Sequence, residues 1–361
     1  MLSRILWAAA AGLLTSLGLI AGVREWTRRG ALLDHPNDRS LHTRPTPRGG
    51  GIGIVVPVLL CLVVLTAMDA AGRTSIAWIA AAGLVVAAVG LIDDLRGLPA
   101  LTRLTTQVFG AMVMTAALGH WRVFVWPGLW VLDLGWTGFP LTVILVVGLT
   151  NAYNFMDGID GIAGTQGVVA GLGWAGVGYT VQDPCVATTG AVLATASLGF
   201  LIFNWPPASI FMGDVGSSFL GFILAALVVL VAPRSPAIAL AGVLFVWPFV
   251  FDTTLTLLRR VSRGENLFSA HRTHLYQRLV LSGVPHRTVT LAYGALAIVG
   301  VATGNAIVRE ATTVSLAGAL LICVLAAGLW MAVIFREQAA RAGAEDGASR
   351  GASGDPGFRK G

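Results

Sequence analysis

Hydrophobic residues in this chain are gathered into long runs that are separated by short polar stretches. Crossing the hydrocarbon core of a bilayer, about 30 Å thick, takes about 20 apolar residues in a helix. The runs therefore predict transmembrane helices. Eleven segments are expected, at 5–23, 51–68, 76–92, 104–118, 139–150, 162–181, 186–203, 215–232, 237–258, 289–306 and 313–335. The pattern predicts an all-α, polytopic transmembrane bundle of ten or eleven helices, forming one domain at 1–335.

Composition agrees with this class. Hydrophobic residues make up 55% of the chain and charged residues only 12%, with a mean hydropathy of +0.77, whereas a soluble domain is about a quarter charged. The first apolar run has only Arg4 before it and no evident cleavage site, and Arg24, Arg28 and Arg29 follow it. We therefore interpret it as a membrane helix and not as a signal peptide.

Basic residues indicate the orientation of the helices. With the N-terminus outside, the loops 24–50, 93–103, 151–161, 204–214 and 259–288 and the tail from 336 face the cytoplasm. These segments hold 19 of the 24 Lys and Arg residues, which is the bias expected of cytoplasmic loops. The tail, 336–361, is small, polar and glycine-rich, so we expect it to be disordered.

Polar residues are concentrated in five of these cytoplasmic segments. They read RPTPRGGG at 44–51, LIDDLRGLPALTRLTTQ at 91–107, NAYNFMDGIDGIAG at 151–164, FNWPPASIFMGDVGSSFLG at 203–221 and AHRTHLYQRL at 270–279. Carboxylates in or beside membrane helices are energetically costly and usually mark a functional site. Their convergence on one face predicts a single site there.

The residue types in these clusters suit phosphoryl transfer. Asp and Asn oxygens on separate segments are the ligands that Mg²⁺ prefers, with substrate phosphates completing its shell. Arginines neutralise phosphate oxygens, and glycines let backbone N–H groups approach an anion. The net charge of +6 suits an anionic leaflet or an anionic substrate, and we expect no nucleic-acid partner. A site on the inner membrane surface favours a cytosolic phosphorylated donor and a lipid acceptor.

The five clusters, in this order, resemble the motifs of the polyprenyl-phosphate N-acetylhexosamine-1-phosphate transferases. The matching patterns are PTPRGGG, DD after the third helix, NxxNxxDGIDGIAG, FNxxPAxIFMGDxGS and HRTH, across roughly 30–335. The resemblance implies a multi-pass enzyme of the bacterial inner membrane with a periplasmic N-terminus and a cytoplasmic active site and C-terminus. Such an enzyme transfers an N-acetylated sugar-1-phosphate from a UDP-sugar to undecaprenyl phosphate and releases UMP. Homodimers also occur in the family.

The resemblance also implies roles for individual residues. Asn154 and Asp214 would hold Mg²⁺, with Mn²⁺ as the alternative ion. The predicted catalytic carboxylates are Asp93, Asp94, Asp157 and Asp160. The predicted substrate-binding residues are Arg44, Arg48, Asn151, Asn204, His271, Arg272 and His274. A role as base for Asp93 or Asp94 has less support than the metal role, because the acceptor is a phosphate monoester with a second pKa of about 6 and is already ionised.

Departures from the family patterns narrow the substrate. The phospho-MurNAc-pentapeptide translocases carry a lysine near the first motif, whereas the only lysine here is Lys360. They also have a longer histidine-rich run at the last motif. The last cluster is closer to the enzymes that start O-antigen chains with GlcNAc, FucNAc or QuiNAc. We therefore expect an enzyme that initiates O-antigen or another cell-envelope polysaccharide, with the sugar itself left open.

Other interpretations were weighed. Asp157, Asp160 and Asp214 could be helix caps, and the histidine segment could be a basic loop that binds anionic lipid. A secondary transporter would place its site near the bilayer midplane, between repeats, and no repeat is visible. A CDP-alcohol phosphotransferase needs an arginine where Gly164 stands. GLGWAG, at 171–176, matches a dinucleotide-binding pattern but lies within an apolar run, so we assign its glycines to close helix packing.

Overall fold

The computed structural model describes residues 1–27, 33–34, 45–68, 73–126, 128–266, 269 and 271–352, with side chains given through residue 340 except at Arg73. The helices are α1 (Leu2–Trp26), α2 (Ile52–Met68), α3 (Arg73–Arg96), α4 (Ala100–Leu118), α5 (Gly138–Met156), α6 (Ile162–Thr180), α7 (Pro184–Asn204), α8 (Asp214–Val231), α9 (Pro236–Leu244), α10 (Trp247–Ser262), α11 (Leu275–Leu281), α12 (His286–Val308) and α13 (Thr312–Ala352). Two antiparallel pairs are β1 (Leu33–Asp34) with β2 (Thr46–Pro47), and β3 (Val123–Trp126) with β4 (Trp130–Asp133).

Each of the eleven predicted apolar segments coincides with helical residues, which confirms a mainly helical membrane protein. Among the described residues, seven helices are long and apolar enough to cross a bilayer, and an eighth span results if α9 and α10 are taken together. That pair is bent by 72°, so the ninth predicted segment is broken and not continuous. The count of eleven spans and the sides of the two termini stay predictions.

Helix α8 forms the centre of the bundle. Of its 18 residues, 94% are buried inside the protein, and it packs against α3, α5 and α9. Helices α6 and α7 pack so closely at Gly171 that a Cβ there would lie only 2.5 Å from the backbone nitrogen of Ala194. This contact confirms the predicted packing role for Gly171, and Gly173 is similarly close to Phe245, whereas a Cβ at Gly176 would meet only an ordinary contact at 3.8 Å.

Three features differ from or refine the sequence predictions. The tryptophan-rich segment between α4 and α5 forms the β3–β4 hairpin, with Trp126 paired to Trp130, so the fold is not purely helical. The predicted loop 259–288 contains the short helix α11. Helix α13 continues beyond the last predicted apolar segment to Ala352, and the Glu337–Arg278 ion pair holds its first turn past that segment. The disorder of the tail stays a prediction. Residues 353–361 lie outside the described part of the chain.

The polar motifs lie at one end of this bundle. Helices α3 and α5 end there, and α8, which packs between them, begins there at Asp214. The loop before α2 pairs with the loop before α8 through Gly50 N–H to Phe211 O at 2.9 Å and Gly51 N–H to Met212 O at 2.8 Å. The fold thus brings four of the predicted motifs into direct contact.

Candidate functional site

Asp94, the last carboxylate of α3, caps the start of α8. Its Oδ1 accepts a hydrogen bond from the backbone N–H of Asp214 at 2.9 Å, and its Oδ2 accepts one from Val215 at 3.0 Å. The contact requires glycine at 213, where φ is +77° and a Cβ would lie 2.5 Å from Asp94 Oδ2. The unfavourable position of this charge at the end of α3 is therefore offset by the positive end of α8. Asp94 is committed to a structural interaction.

Asp93 and Asp214 are joined by an arginine that sequence analysis treated only as a topology determinant. Arg103 Nη1 lies 2.7 Å from Asp93 Oδ2 and 2.9 Å from Asp214 Oδ2. The other oxygen of Asp93 accepts the backbone N–H of Leu98 at 2.5 Å. Arg103 stands ten residues after Asp93, inside the second motif at 91–107, and its place in a segment predicted to face the cytoplasm was the signal available in the sequence. In this arrangement both oxygens of Asp93 are occupied.

Asn154 and Asp157, at the end of α5, have side-chain oxygens that accept no hydrogen bond from the described residues. The Asn154 amide donates from Nδ2 to Asp214 Oδ1 and to Ser217 Oγ, each at 2.9 Å, so its Oδ1 has no partner among the described residues. The Asp157 carboxylate likewise has no hydrogen-bond or ion-pair partner in the described part of the chain. Burial raises the pKa of Asp157 to about 7, helped by the charges of Asp214 and Asp94 and opposed by Arg48.

These residues, Asp93, Asp94, Asn154, Asp157 and Asp214, are called the acid cluster below. The described residues contain no group of three His, Cys, Asp or Glu side chains that could hold a metal ion by themselves. Mg²⁺ does not require such a cage, because it is usually held by one or two carboxylates, waters and substrate phosphates. The uncommitted oxygens of Asn154 and Asp157, beside Asp214, fit that partial set.

Arg48, from the first motif, lies beside the acid cluster. Its guanidinium lies 3.0 Å from Asp34 and 3.7 Å from Asp94. Gly50 and Gly51 serve packing and not anion binding, because their N–H groups are hydrogen-bonded to the loop before α8. Arg44 lies outside the described residues.

Two further predicted residues, Asn204 and Asp160, hold loops in place. Asn204 is buried, with its Oδ1 accepting Gly161 N–H at 2.8 Å and its Nδ2 donating to Ile210 O at 2.9 Å. Asp160 accepts the backbone N–H of Ala208 at 3.0 Å and lies 3.7 Å from His286. Both residues therefore stabilise the loops around the α6 N-terminus, and neither joins the acid cluster.

Asn151 lies one helical turn before Asn154 on α5. Its Nδ2 donates to Gln107 Oε1 at 2.6 Å and to Val147 O at 2.8 Å. The predicted substrate role of Asn151 therefore rests on its side-chain oxygen Oδ1, which accepts no hydrogen bond from the described residues.

The last motif, the histidine loop at 271–274, is organised by a buried aspartate that sequence analysis missed. Asp252 of α10 is fully buried and accepts hydrogen bonds from the backbone N–H of Leu275 at 2.8 Å, Tyr276 N–H at 3.1 Å and Tyr293 OH at 2.6 Å. His274 Nδ1 lies 3.2 Å from Asp252 Oδ1. Asp252 thus caps α11 and orients the imidazole. It gave no signal because it stands alone within an apolar run.

The histidine loop adjoins the acid cluster. Tyr276 OH donates to Phe155 O at 2.9 Å, and the Phe155 and His274 rings are 6.1 Å apart. Burial, with the neighbouring His274, lowers the pKa of His271 to about 4. His271 is therefore neutral at pH 7 and could serve a substrate by hydrogen bonding only. Arg272 makes no ion pair or hydrogen bond within the described residues and lines an open groove.

Comparison with known proteins agrees with the family resemblance of the five motifs. Residues 75–232 match the model of glycosyl transferase family 4, a range that includes the whole acid cluster. The chain is 30% identical over 292 residues to a probable undecaprenyl-phosphate N-acetylglucosaminyl 1-phosphate transferase of Bacillus subtilis, covering 80% of each chain. It is 33% identical over 303 residues to a decaprenyl-phosphate N-acetylglucosaminephosphotransferase of Mycobacterium tuberculosis, covering 74% of each. A phospho-N-acetylmuramoyl-pentapeptide-transferase of Synechococcus is 36% identical over 227 residues, 59% of this chain and 64% of that one.

Proposed function

The chain belongs to glycosyl transferase family 4, and from this premise we propose that it transfers an N-acetylhexosamine 1-phosphate from a UDP-sugar to a polyprenyl phosphate. The observation that carries the proposal is the meeting of open Asn154 and Asp157 oxygens with Asp214 and two arginines at one end of the bundle. Oxygen ligands for a cation and guanidinium groups for phosphate are what phosphoryl transfer requires.

The proposed reaction is a displacement at phosphorus. An oxygen of the lipid phosphate attacks the phosphorus that bears the sugar, and the bond between that phosphorus and the bridging oxygen breaks. UMP leaves with the bridging oxygen, and the product is a lipid diphosphate sugar. The acceptor needs no general base, because its phosphate is largely dianionic at neutral pH. This removes the need for Asp93 or Asp94 to act as a base, in line with the occupied oxygens of both.

The residues of the site divide this work. Asp157, Asn154 and Asp214 would hold Mg²⁺, which when bound neutralises charge on the donor diphosphate. Arg103 stands beside Asp93 and Asp214, where it can exchange one carboxylate for a phosphate oxygen. Asp252 orients the buried imidazole of His274, and His274 would contact the donor through Nε2. Arg48 adds positive charge beside Asp94.

The relatives support a first choice of donor, whereas the proposed pathway rests on the last motif. Two relatives that cover most of the chain are named for N-acetylglucosamine transfer, so UDP-GlcNAc is the first donor to test. UDP-FucNAc and UDP-QuiNAc remain alternative donors, because the last motif is similar to that of enzymes that use these sugars. A muramyl-pentapeptide donor has less support, because that relative matches a smaller share of the chain. The product would start O-antigen or another cell-envelope polysaccharide.

The proposed location is the bacterial inner membrane, with the acid cluster on the cytoplasmic face. This orientation rests on the basic residues of the loops and on the cytosolic origin of nucleotide sugars. Membership of the family leaves little support for a transporter of anionic solutes.

The test uses purified protein, undecaprenyl phosphate, Mg²⁺ and one donor at a time: UDP-GlcNAc, UDP-GalNAc, UDP-FucNAc, UDP-QuiNAc or UDP-MurNAc-pentapeptide. UMP release and a lipid carrying two phosphates and one sugar are measured together by mass spectrometry. Asp214→Asn should abolish both products, while Asp133→Asn, an exposed acid on β4, should leave both unchanged. The absence of UMP and lipid product with every donor, or UMP without a lipid product, would refute the transferase proposal.

A further inference from the structure

A groove rich in arginine lies beside the histidine loop and is formed by the end of α10, the following loop, α11 and α13. Its volume is about 680 Å³. The charged residues that line it are Arg259, Arg263, Arg272, Arg278 and Glu337. We call it the arginine groove. Four guanidinium groups face one carboxylate, so the groove carries a large excess of positive charge.

The pairing within the arginine groove leaves much of this charge uncompensated. Glu337 is bound by Arg278 through two hydrogen bonds of 2.6 Å. The remaining nitrogen of Arg278, Nη1, is buried and has no partner among the described residues. The guanidinium groups of Arg259 and Arg272 have neither a carboxylate partner nor a hydrogen bond in that part of the chain. Such donors are satisfied by an anion with several oxygens.

An indole ring organises two of these arginines. The guanidinium carbon of Arg259 lies 4.9 Å from the centre of the Trp330 ring, and that of Arg278 lies 5.4 Å from it. Cation–π contacts hold each guanidinium by its face and leave its N–H edge free for a ligand. Two like charges are thus fixed beside one ring, which favours a doubly charged or multidentate anion over chloride.

The position of the arginine groove points to a membrane lipid. Trp330 is 18 residues after Thr312, the first residue of α13, which corresponds to about 27 Å along a helix and nearly the thickness of the hydrocarbon core. The ring therefore stands where interfacial tryptophans lie. Apolar side chains flank the charges on the outer surface, including Leu258, Val261 and Leu281, each more than half exposed. Charge inside the groove and exposed apolar groups beside it match an amphipathic ligand.

We propose that the arginine groove binds the phosphate of a membrane lipid. The lipid is either a bulk anionic phospholipid or a polyprenyl phosphate held near the acid cluster. No residue of the acid cluster lines the groove, so lipid binding there does not depend on the proposed reaction, and its test measures binding and not turnover.

The experiment titrates purified full-length protein in detergent with dioctanoyl phosphatidylglycerol, farnesyl phosphate or UDP-GlcNAc. Native mass spectrometry counts the bound molecules. The double variant Arg259→Gln/Arg263→Gln should weaken binding of at least one lipid about tenfold or more, with UDP-GlcNAc affinity unchanged. Loss of phosphatidylglycerol binding alone identifies a bulk-lipid site, and loss of farnesyl phosphate binding identifies an acceptor site. Both results support the proposal.

The matched control is Arg309→Gln/Arg336→Gln, which removes the same charge from two exposed positions outside the arginine groove. Its lipid affinities should equal those of the wild type. Arg272→Gln provides a second, milder variant of the groove, and melting temperatures establish that each variant is folded. Unchanged affinity for both lipids in the groove variants would overturn the proposal. So would an equal loss in the control, or a loss confined to UDP-GlcNAc.

Discussion

Asp94 and Asp157 are both aspartates at the same end of the helix bundle, but their surroundings are opposite. Asp94 accepts two backbone N–H groups at the start of α8, and Asp252 in the same way caps α11. Asp157 has no such partner among the described residues. The comparison teaches that a carboxylate near the membrane can be retained for either of two reasons. A saturated carboxylate builds the site, and an unsaturated one is available to a ligand.

Of these two aspartates, Asp157 should have the larger effect on the rate of transfer. Asp157→Asn should lower UMP release by at least about 100-fold, because it removes charge from the position proposed to hold the cation. Its melting temperature should match that of the wild type, since no hydrogen bond is lost. Activity would be followed by UMP release and folding by a thermal melt. An inactive variant that also melts early would instead make Asp157 a structural residue.

Asp94→Ala should mainly lower stability, with activity falling as a consequence. Loss of two hydrogen bonds to a buried charge should destabilise the start of α8 by about 2 kcal/mol, which a lower melting temperature would register. Activity should fall with it, because Asp214 is the first residue of the capped helix. Asp94→Asn, which keeps one acceptor oxygen, should be intermediate in both measurements. Full activity loss at an unchanged melting temperature would argue that Asp94 acts chemically.

The raised pKa of Asp157 predicts how Mg²⁺ binding depends on pH. A proton competes with the cation for this carboxylate, so affinity should be nearly constant above pH 7 and fall about tenfold per unit below it. Titration calorimetry without substrates, between pH 6 and pH 8, measures this directly and avoids ionisation of the lipid phosphate. Asp157→Asn should bind Mg²⁺ weakly and with a shallower pH dependence. Chelation of Mg²⁺ should abolish transfer, with activity restored on its addition.

The smallest effect is expected at Asp252. Asp252→Asn keeps the size of the side chain but weakens its hold on His274, so kcat/KM should fall about tenfold. His274→Gln should cost a similar factor, and the double variant should cost little more, because both changes remove one interaction. Fully multiplicative losses would show that Asp252 and His274 act independently.

Much of this molecule could be anticipated from local sequence. The apolar runs became helices, and the motifs around Asp94, Asn154 and Asp214 meet as expected. The sequence did not reveal the bend between α9 and α10, because hydropathy is averaged over a window and does not register a change of direction. It also did not reveal Arg103 or Asp252, since one resembled a topology determinant and the other a lone polar residue in an apolar run.

The sequence by itself determined the class of the protein and the end of the bundle where its chemistry lies. It could do so because transfer of apolar and charged groups between water and hydrocarbon depends on each residue and its neighbours along the chain. Only the tertiary structure decided which carboxylates are occupied and which are open. Asp94 meets its partners at Asp214 and Val215, more than a hundred residues away, and hydrogen bonding of that kind depends on helices packed together, with no trace in local sequence.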